Sequence, residues 1–289
     1  MRMIGVGDNV VDCYLDERLF YPGGNAVNVA VGCARAGCEA AYLGVFGDDE
    51  EAGHLRWALE QERISTARCR VMHGFSGHPG VRLTADGDRV FVGGPRDTAQ
   101  HVVRLRLTQE DLDYIEGFDI CHTSCYSSIE SELKKLKDCC DVSFDFSSGN
   151  TDKQYLSLVC PYVRFAFFSG SDMPPQELDE LISAVHGLGT EIVGITLGSR
   201  GALFSQSANG RVQRYTQEII RVPVVDTMGA GDSFIAGFLT RFCQQADMTE
   251  ALRFAAERAA KTCGEHGGFG YGRPLPEGRD FDAWHKPRS

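Results

Sequence analysis

Val224-Val225-Asp226-Thr227-Met228-Gly229-Ala230-Gly231-Asp232 runs directly into Ser233-Phe234-Ile235-Ala236-Gly237-Phe238-Leu239, and this junction decides the reading of the chain. Val224-Val225 predicts the end of a strand. The run from Ser233 is apolar on nearly every side, which predicts a helix deep in the molecule. A Gly-Ala-Gly turn opens it. Small residues let the backbone approach a ligand, and first-turn N–H groups have no intrahelical partner. Those donors and the helix dipole favour an anion. A transferring phosphoryl group is such an anion, and its charge has to be held in the transition state. Asp232 stands at the same helix start. Its residue type leaves two roles open: general base toward a hydroxyl, or N-cap, for which Asp is a favoured residue.

Outward from this junction the pattern alternates. Strands are predicted at 118–123, 141–146, 162–168 and 191–197, and helices at 129–138, 150–159, 176–187, 232–243 and 249–263. Earlier, 3–11 reads as a buried strand, 25–36 as a helix ended by Gly37, 40–46 as a strand and 51–62 as an amphipathic helix. This is an α/β pattern: a mostly parallel central sheet with helices on both faces. The segment 80–93 breaks the rhythm, reading as two strands around Asp86-Gly87. With the stretch after Asp12 it predicts a small β-lid, about 12–20 and 80–98, on a single domain spanning 1–289. An ordinary edge hairpin is the alternative.

Taken whole, Asp226–Asp232 resembles the D-T-x-G-A-G-D signature of the pfkB/ribokinase family of carbohydrate kinases. The resemblance implies a ribokinase-like fold, Asp232 as catalytic base, and an anion hole formed by the N–H groups of Gly229, Ala230, Gly231 and Asp232. Gly23-Gly24-Asn25-Ala26-Val27-Asn28-Val29-Ala30 is similar to the family's G-G-x-x-x-N-x-A element, which implies that Gly23, Gly24 and Asn28 line the sugar pocket. Read alone, the same stretch is a turn before a helix with Asn25 as its cap. Gly7-Asp8-Asn9-Val10-Val11-Asp12 follows the first strand, and ligands of open α/β sheets bind off strand carboxyl ends. By the resemblance Asp12 chelates two substrate hydroxyls, with Asp8 and Asn9 as secondary candidates that could equally be turn residues. Thr196-Leu197-Gly198-Ser199-Arg200-Gly201 resembles the family's nucleotide element, so Thr196, Gly198 and Gly201 are expected to approach ATP. The glycine-rich stretch 264–272 lies where the family wraps the adenine. Gly47-Asp48-Asp49 with Gly53 fits a stretch read as structural. One departure stands out: Ser169-Gly170-Ser171-Asp172 replaces the family's N-x-x-E, which organises magnesium. Asp172 is the candidate in its place. Mg2+ with ATP is still implied, because the triphosphate charge must be neutralised. A monovalent cation and a homodimer joined through the lid are also compatible with the family.

The chain of 289 residues is 43% hydrophobic, enough for a large core, and its formal charge of −11 argues against nucleic acid as a partner. No leader is expected, since Met1-Arg2-Met3-Ile4-Gly5 enters a strand at once. No apolar run reaches the roughly 18–20 residues that span a bilayer. Eleven cysteines, odd in number and irregularly spaced, predict reduced thiols in a cytoplasmic protein. Cys121-His122-Thr123-Ser124-Cys125 with Cys139-Cys140 offers zinc-type ligands, but there is no second CxxC-type half, and buried strand-end residues are the plainer reading. A nicotinamide dehydrogenase lacks the third glycine of GxGxxG, since position 10 is Val, and GxxxxGK[ST] is absent. A non-catalytic sugar binder on the same fold is a further alternative. It has no need of the retained Asp12 and Asp232.

Residues 224–239 and Asp88-Arg89-Val90-Phe91 look most like family members that phosphorylate the 6-hydroxyl of a fructosamine such as fructoselysine. Fructose or ribose are the simpler acceptors. An amino-acid tail calls for polar partners, for which His122, Tyr126 and Arg96 are candidates by position.

Overall fold

The computed structural model describes residues 1–84, 87–95 and 97–276. Strands β1 (Arg2–Gly7), β2 (Val10–Tyr14) and β3 (Leu19–Gly23) come first, then helix α1 (Asn25–Arg35), β4 (Glu39–Phe46) and α2 (Glu50–Gln61). Strands β5 (Arg70–Val71), β6 (Gly80–Leu83) and β7 (Arg89–Gly93) precede α3 (Ala99–Val102) and α4 (Gln109–Ile115). The alternating half follows: β8 (Ile120–Ser124), α5 (Leu133–Cys139), β9 (Asp141–Asp145), α6 (Lys153–Val159), β10 (Phe165–Ser169), α7 (Pro175–Gly187) and β11 (Ile192–Thr196). Strands β12 (Ala202–Ala208) and β13 (Arg211–Gln217), helices α8 (Ala230–Gln245) and α9 (Met248–Thr262), and β14 (Arg273–Pro274) complete the described chain. None of the described helices is long and apolar enough to cross a membrane.

The main sheet has nine strands in the order β13-β12-β11-β10-β9-β8-β1-β4-β5. From β11 to β5 all pairings are parallel, so the carboxyl ends of these strands share one edge. Gly7, Ser124, Asp145, Ser169 and Thr196 all lie on it. β12 and β13 add on antiparallel. Buried runs explain the parallel strands: β1, β8 and β10 are covered on both faces. One face packs on α4 to α7 around Ile4, Phe144, Phe168 and Ile195. The other packs on α1, α8 and α9 around Met3, Phe165, Phe167 and Phe204.

Helix α8 is fixed by aromatic stacking. Phe234, Phe238 and Phe242 recur at helical spacing, and Phe238 lies 4.7 Å from Phe204 and 6.0 Å from Phe167, ring to ring. Gly194 makes room, because a Cβ there would stand 2.5 Å from the Phe204 ring. On its other side α8 crosses α1 so closely that a Cβ on Gly32 would lie 2.6 Å from that of Ala236.

The second sheet has five strands in the order β14-β3-β2-β6-β7. It stands beyond the carboxyl edge of the main sheet, because β2 follows β1 across Asp8-Asn9 and β3 leads straight into α1. It takes in more chain than 12–20 and 80–98, including β14 from the far end of the described residues. Val224-Val225 does not end a strand. β13 stops at Gln217, and residues 218–225, with Pro223, run without a strand partner until Val225 donates to the Cys263 carbonyl at 2.8 Å.

The close α1–α8 crossing makes a prediction. Gly32→Ala gains up to about 1 kcal/mol of helix propensity but forces apart helices already in contact, a cost of roughly 1–3 kcal/mol. We expect Tm to fall by roughly 2–6 °C. Thermal unfolding followed by circular dichroism checks this; an unchanged Tm would show that the helices separate without cost.

Candidate active site

Asp232 is the third residue of α8. The helix is capped by Gly229, in the left-handed region at φ 71°, with no side-chain cap bond. Asp232 is therefore not an N-cap. Its carboxylate points away from its own helix and accepts from Asn28 Nδ2 at 2.6 Å and Asn25 Nδ2 at 2.8 Å, both on α1. Burial raises its pKa to about 6; the Asn28 bond, Arg89 and the Asn25 bond pull it down, and Asp8 pushes it up.

Asn25 is the hub of a wider network. Its Nδ2 also donates to Asp145 Oδ2 at 2.7 Å, and its Oδ1 meets His122 Nε2 at 2.9 Å. Because that amide oxygen only accepts, His122 carries its proton on Nε2, and Nδ1 accepts from Ser143 Oγ at 2.8 Å. Burial pushes His122 down to about 3, so it is neutral. Asp145 is pushed up to about 7, by burial first and then by Asp232. Asn25 does not cap its helix. That task falls to Asp8, which accepts from the Asn25 N–H at 2.6 Å and from the hydroxyls of Ser124 and Ser127 at 2.9 Å. Asn9 is likewise engaged in the scaffold: its amide donates to Tyr42 Oη and the Val45 carbonyl, both at 2.9 Å.

Asp12 differs from these acids. It is 3% exposed, and no described donor bonds to its carboxylate. Burial raises its pKa to about 7; Arg89 opposes the rise, and Asp232, Asp226 and Asp8 add to it. Gly23, on the paired strand, leaves the room it needs, since a Cβ there would stand 2.2 Å from Asp12 Oδ2. Gly24 turns the chain into α1 at φ 109°. The Oδ1 of Asn28 is buried without a partner.

At the start of α8, Ala230 N–H is engaged by the Thr227 carbonyl at 3.2 Å. The N–H groups of Gly229, Gly231 and Asp232 bond to no described acceptor, and a Cβ on Gly231 would meet nothing within 4 Å. Exposed Gly231 thus leaves open space at the positive end of a 16-residue helix that has three N–H groups without a described acceptor, which fits an anion. The loop before them is braced on every side. Asp226 accepts from the N–H groups of Met228 and Gly267, both at 2.8 Å, and from Tyr14 Oη. Gly268 abuts Gly229 and the Asn28 amide. The glycine-rich stretch 264–272, placed at the adenine by resemblance, has this part set against the loop.

On the nucleotide side, Thr196 ends β11, and Gly198 (φ 58°) and Gly201 (φ 90°) follow it. Gly201 packs on the Gln217 carbonyl, which a Cβ would approach to 2.0 Å. Arg200 donates to the Ser171 carbonyl at 2.8 Å, so exposed Asp172 lies on the turn beside Gly198. Asp172 joins no cluster of ligand side chains among the described residues. The only such group is Asp49, Glu51 and His78, where Asp49 caps α2 through Ala52 N–H and holds Ser76. The three tail candidates fare differently. His122 is fully buried with both ring nitrogens bonded, which removes it as a tail or zinc ligand. Tyr126 is 57% exposed and bonds Ser147 Oγ. Arg96 lies outside the described residues. All eleven cysteines are free.

Sequence reading missed Asp145 and Arg89 as site residues. The one signal for Asp145 was an acid at the carboxyl end of a predicted strand. Arg89 gave none, since a hairpin cation is usually solvated.

A helix start with unpaired N–H groups, beside one buried carboxylate held by two amides and another without a described donor, is a layout that suits phosphoryl transfer to a polyol. The chain belongs to the pfkB family of carbohydrate kinases, whose model matches residues 5–270. It is 50% identical over 274 residues to the fructosamine kinase FrlD of Bacillus subtilis (strain 168), covering 95% of each chain. It is 34% identical over 267 residues to the fructoselysine 6-kinase of Escherichia coli (strain K12), covering 91% of this chain and 97% of that one. The fold is ribokinase-like: the structure of Arabidopsis thaliana ribokinase complexed with ribose and ATP superposes with a TM-score of 0.74 at 21% identity, over 92% of this chain and 93% of that one.

Asp12 generates a stability prediction with a definite sign. Its folded pKa is raised from 3.8 to about 7, so its ionised form is penalised only in the fold. The penalty is absent below the unfolded value and complete above the folded one. Asp12→Asn is therefore expected to raise Tm at pH 8 by roughly 2–6 °C, a gain of about 1–2 kcal/mol, and to raise it far less near pH 4. Unfolding scans at the two pH values check this; equal shifts at both would mean that the carboxylate is not strained.

Proposed function

We propose that this carbohydrate kinase transfers the γ-phosphoryl group of ATP to the 6-hydroxyl of a fructosamine, with Asp232 as the general base. The observation that carries the chemistry is Asp232 itself, held by two amide donors at the mouth of an open anion site, with a pKa raised to about 6. A base of that strength is ionised at pH 7 yet still takes a proton. The substrate class rests on the 50% identity to a fructosamine kinase across 95% of both chains.

Asp12 accepts from two adjacent sugar hydroxyls, with Asn28 and the Gly23-Gly24 backbone completing the pocket. Asp232 takes the proton of the 6-hydroxyl as its oxygen bonds to the γ-phosphorus. The bond from that phosphorus to the β–γ bridging oxygen breaks, ADP leaves, and Asp232 is left protonated. The N–H groups of Gly229, Gly231 and Asp232 hold the equatorial charge. Thr196, Gly198 and Gly201 approach the nucleotide. Magnesium bound with ATP would supply charge neutralisation on the triphosphate, and we assign exposed Asp172 as the side chain that would hold it or its waters. The small sheet of β2, β3, β6 and β7 acts as a lid on a single kinase domain, excluding water from the phosphoryl group. Its edge strand β7 exposes Val90 and Phe91 at 47% and 52%, a face that a second copy would cover.

Two measurements test this. Asp232→Asn keeps the shape, can accept from Asn25 and can donate to Asn28 once that amide turns its unpartnered Oδ1 inward, so it should fold and bind ATP while kcat falls by about 10²–10⁴-fold. Near-normal turnover in the folded variant would remove Asp232 from the chemistry. For the substrate, kcat/KM for fructoselysine, other fructose–amino acid conjugates, fructose and ribose should rank the conjugates first. An unconjugated sugar ahead by about tenfold, 1.4 kcal/mol, would make the protein a simple sugar kinase.

A further inference from the structure

Three consecutive residues at the tip of the β6–β7 hairpin grip every polar group of Thr227. The Gly87 carbonyl accepts from its N–H at 3.2 Å. The Asp88 carboxylate accepts from its hydroxyl at 2.8 Å. Arg89 Nη1 donates to its carbonyl at 3.0 Å and its hydroxyl at 3.4 Å. Gly87 adopts φ 80°, and a Cβ on it would meet Val224 and Val225 at 3.2 Å, so the tip lies flat on the chain entering the loop. The neighbours of Thr227 are held by the same sheet: Asp226 by Tyr14, and Met228 in a cluster with Tyr14, Tyr21 and Val81. The loop that sets the anion hole is thus moulded by the small sheet, residue by residue. Arg89 also lies within electrostatic reach of Asp12 and Asp232.

We propose that Arg89 is a positioning residue for phosphoryl transfer: docking of the hairpin fixes Thr227, and with it the anion hole, and brings a guanidinium opposite Asp232 and Asp12. The base is then fully ionised, and the anion hole fully formed, only when the hairpin is down over the site. This rests on the reading of Asp232 as the base. Asp8 after β1, Arg89 and the two amides of α1 act on Asp232, which in turn raises Asp12 on β2 and Asp145 on β9; Asp226 before α8 acts on Asp12, and neutral His122 on β8 bonds Asn25. In this ring Arg89 is the cation, and it opposes the carboxylates.

The test is the pH profile of kcat/KM for fructoselysine, in the full-length protein, for wild type, Arg89→Gln, Arg89→Met, Arg89→Lys and Asp232→Asn. Loss of the guanidinium should move the acid limb up by about one pH unit, within the effect of an opposite charge nearby, and so lower kcat/KM on that limb roughly tenfold. The methionine variant keeps side-chain length and carries the test if the glutamine variant does not fold. Arg89→Lys should restore the limb while recovering kcat only in part, because one ammonium cannot reproduce the guanidinium fork on Thr227. An acid limb that superimposes on wild type in the uncharged variants, or that lysine fails to restore, overturns the proposal. Near-normal activity of Asp232→Asn overturns the underlying base assignment instead. A dead Asp232→Asn with an unmoved limb in the Arg89 variants refutes the role of Arg89 alone.

Discussion

Two amide groups on one helix hold a carboxylate on another, and the rest of the molecule is arranged to permit it. Asn25 and Asn28 of α1 each donate to one oxygen of Asp232 on α8. The choice of amides has a physical reason. A buried carboxylate without donors is costly. A direct ion pair would pull its pKa far below neutral and abolish its basicity. Two neutral donors fix both oxygens and leave a group that ionises near pH 6. The arrangement requires the two helices almost to touch, which Gly32 and Ala236 allow. It also requires α8 not to slide, which the stack of Phe234, Phe238 and Phe242 on the sheet ensures.

The proposed anion hole depends on distant parts of the chain. Asp226, Thr227 and Met228 are held by Tyr14 on β2, by the hairpin tip at 87–89, by Tyr21 on β3 and by Gly267 after α9. These contacts span separations from tens of residues to more than two hundred. No contiguous piece of the protein carries a complete site. The left-handed turn at Gly229 is therefore not a local property of its sequence alone. It is stabilised by a sheet whose strands come from the start, the middle and the end of the described residues.

Much of this was legible in the residues. The signature at 226–232 needs Gly229 because a Cβ there would strike Gly268, and the parallel strands announced themselves as buried runs between helices. The hairpin at 80–93 was legible from its turn residues. Strands β12 and β13 were not, because β13 is exposed or half-exposed along its whole length and has no buried stripe to read. Val224-Val225 looked like the end of a strand because valines favour one, yet no neighbour offers residues 218–225 a ladder. Asn25 was read as a cap because it opens a helix. Asp8, seventeen residues earlier, takes that task through the fold, and the amide is left free for Asp145 and Asp232. Such long-range substitutions leave no local trace.

The buried acids of the site separate by what donates to them. Asp8 accepts from backbone N–H groups and two serine hydroxyls, and Asp226 from two backbone N–H groups and a tyrosine. Asp8 has four such donors and Asp226 three, so both are largely satisfied within the protein and act as scaffold. Asp145 has one backbone N–H and the Asn25 amide. Asp232 has two amides, leaving half of the roughly four lone-pair positions of a carboxylate. Asp12 has no described donor at all, though it is as buried as Asp8. Burial without donors is unfavourable, and in the proposed function a ligand brings the donors to Asp12. Those donors must come in a pair, close together and uncharged or cationic, since Asp12, Asp145 and Asp232 together repel an anionic acceptor. Adjacent sugar hydroxyls meet that requirement, and in the proposed reaction the remaining lone pairs of Asp232 would take the proton of the reacting hydroxyl.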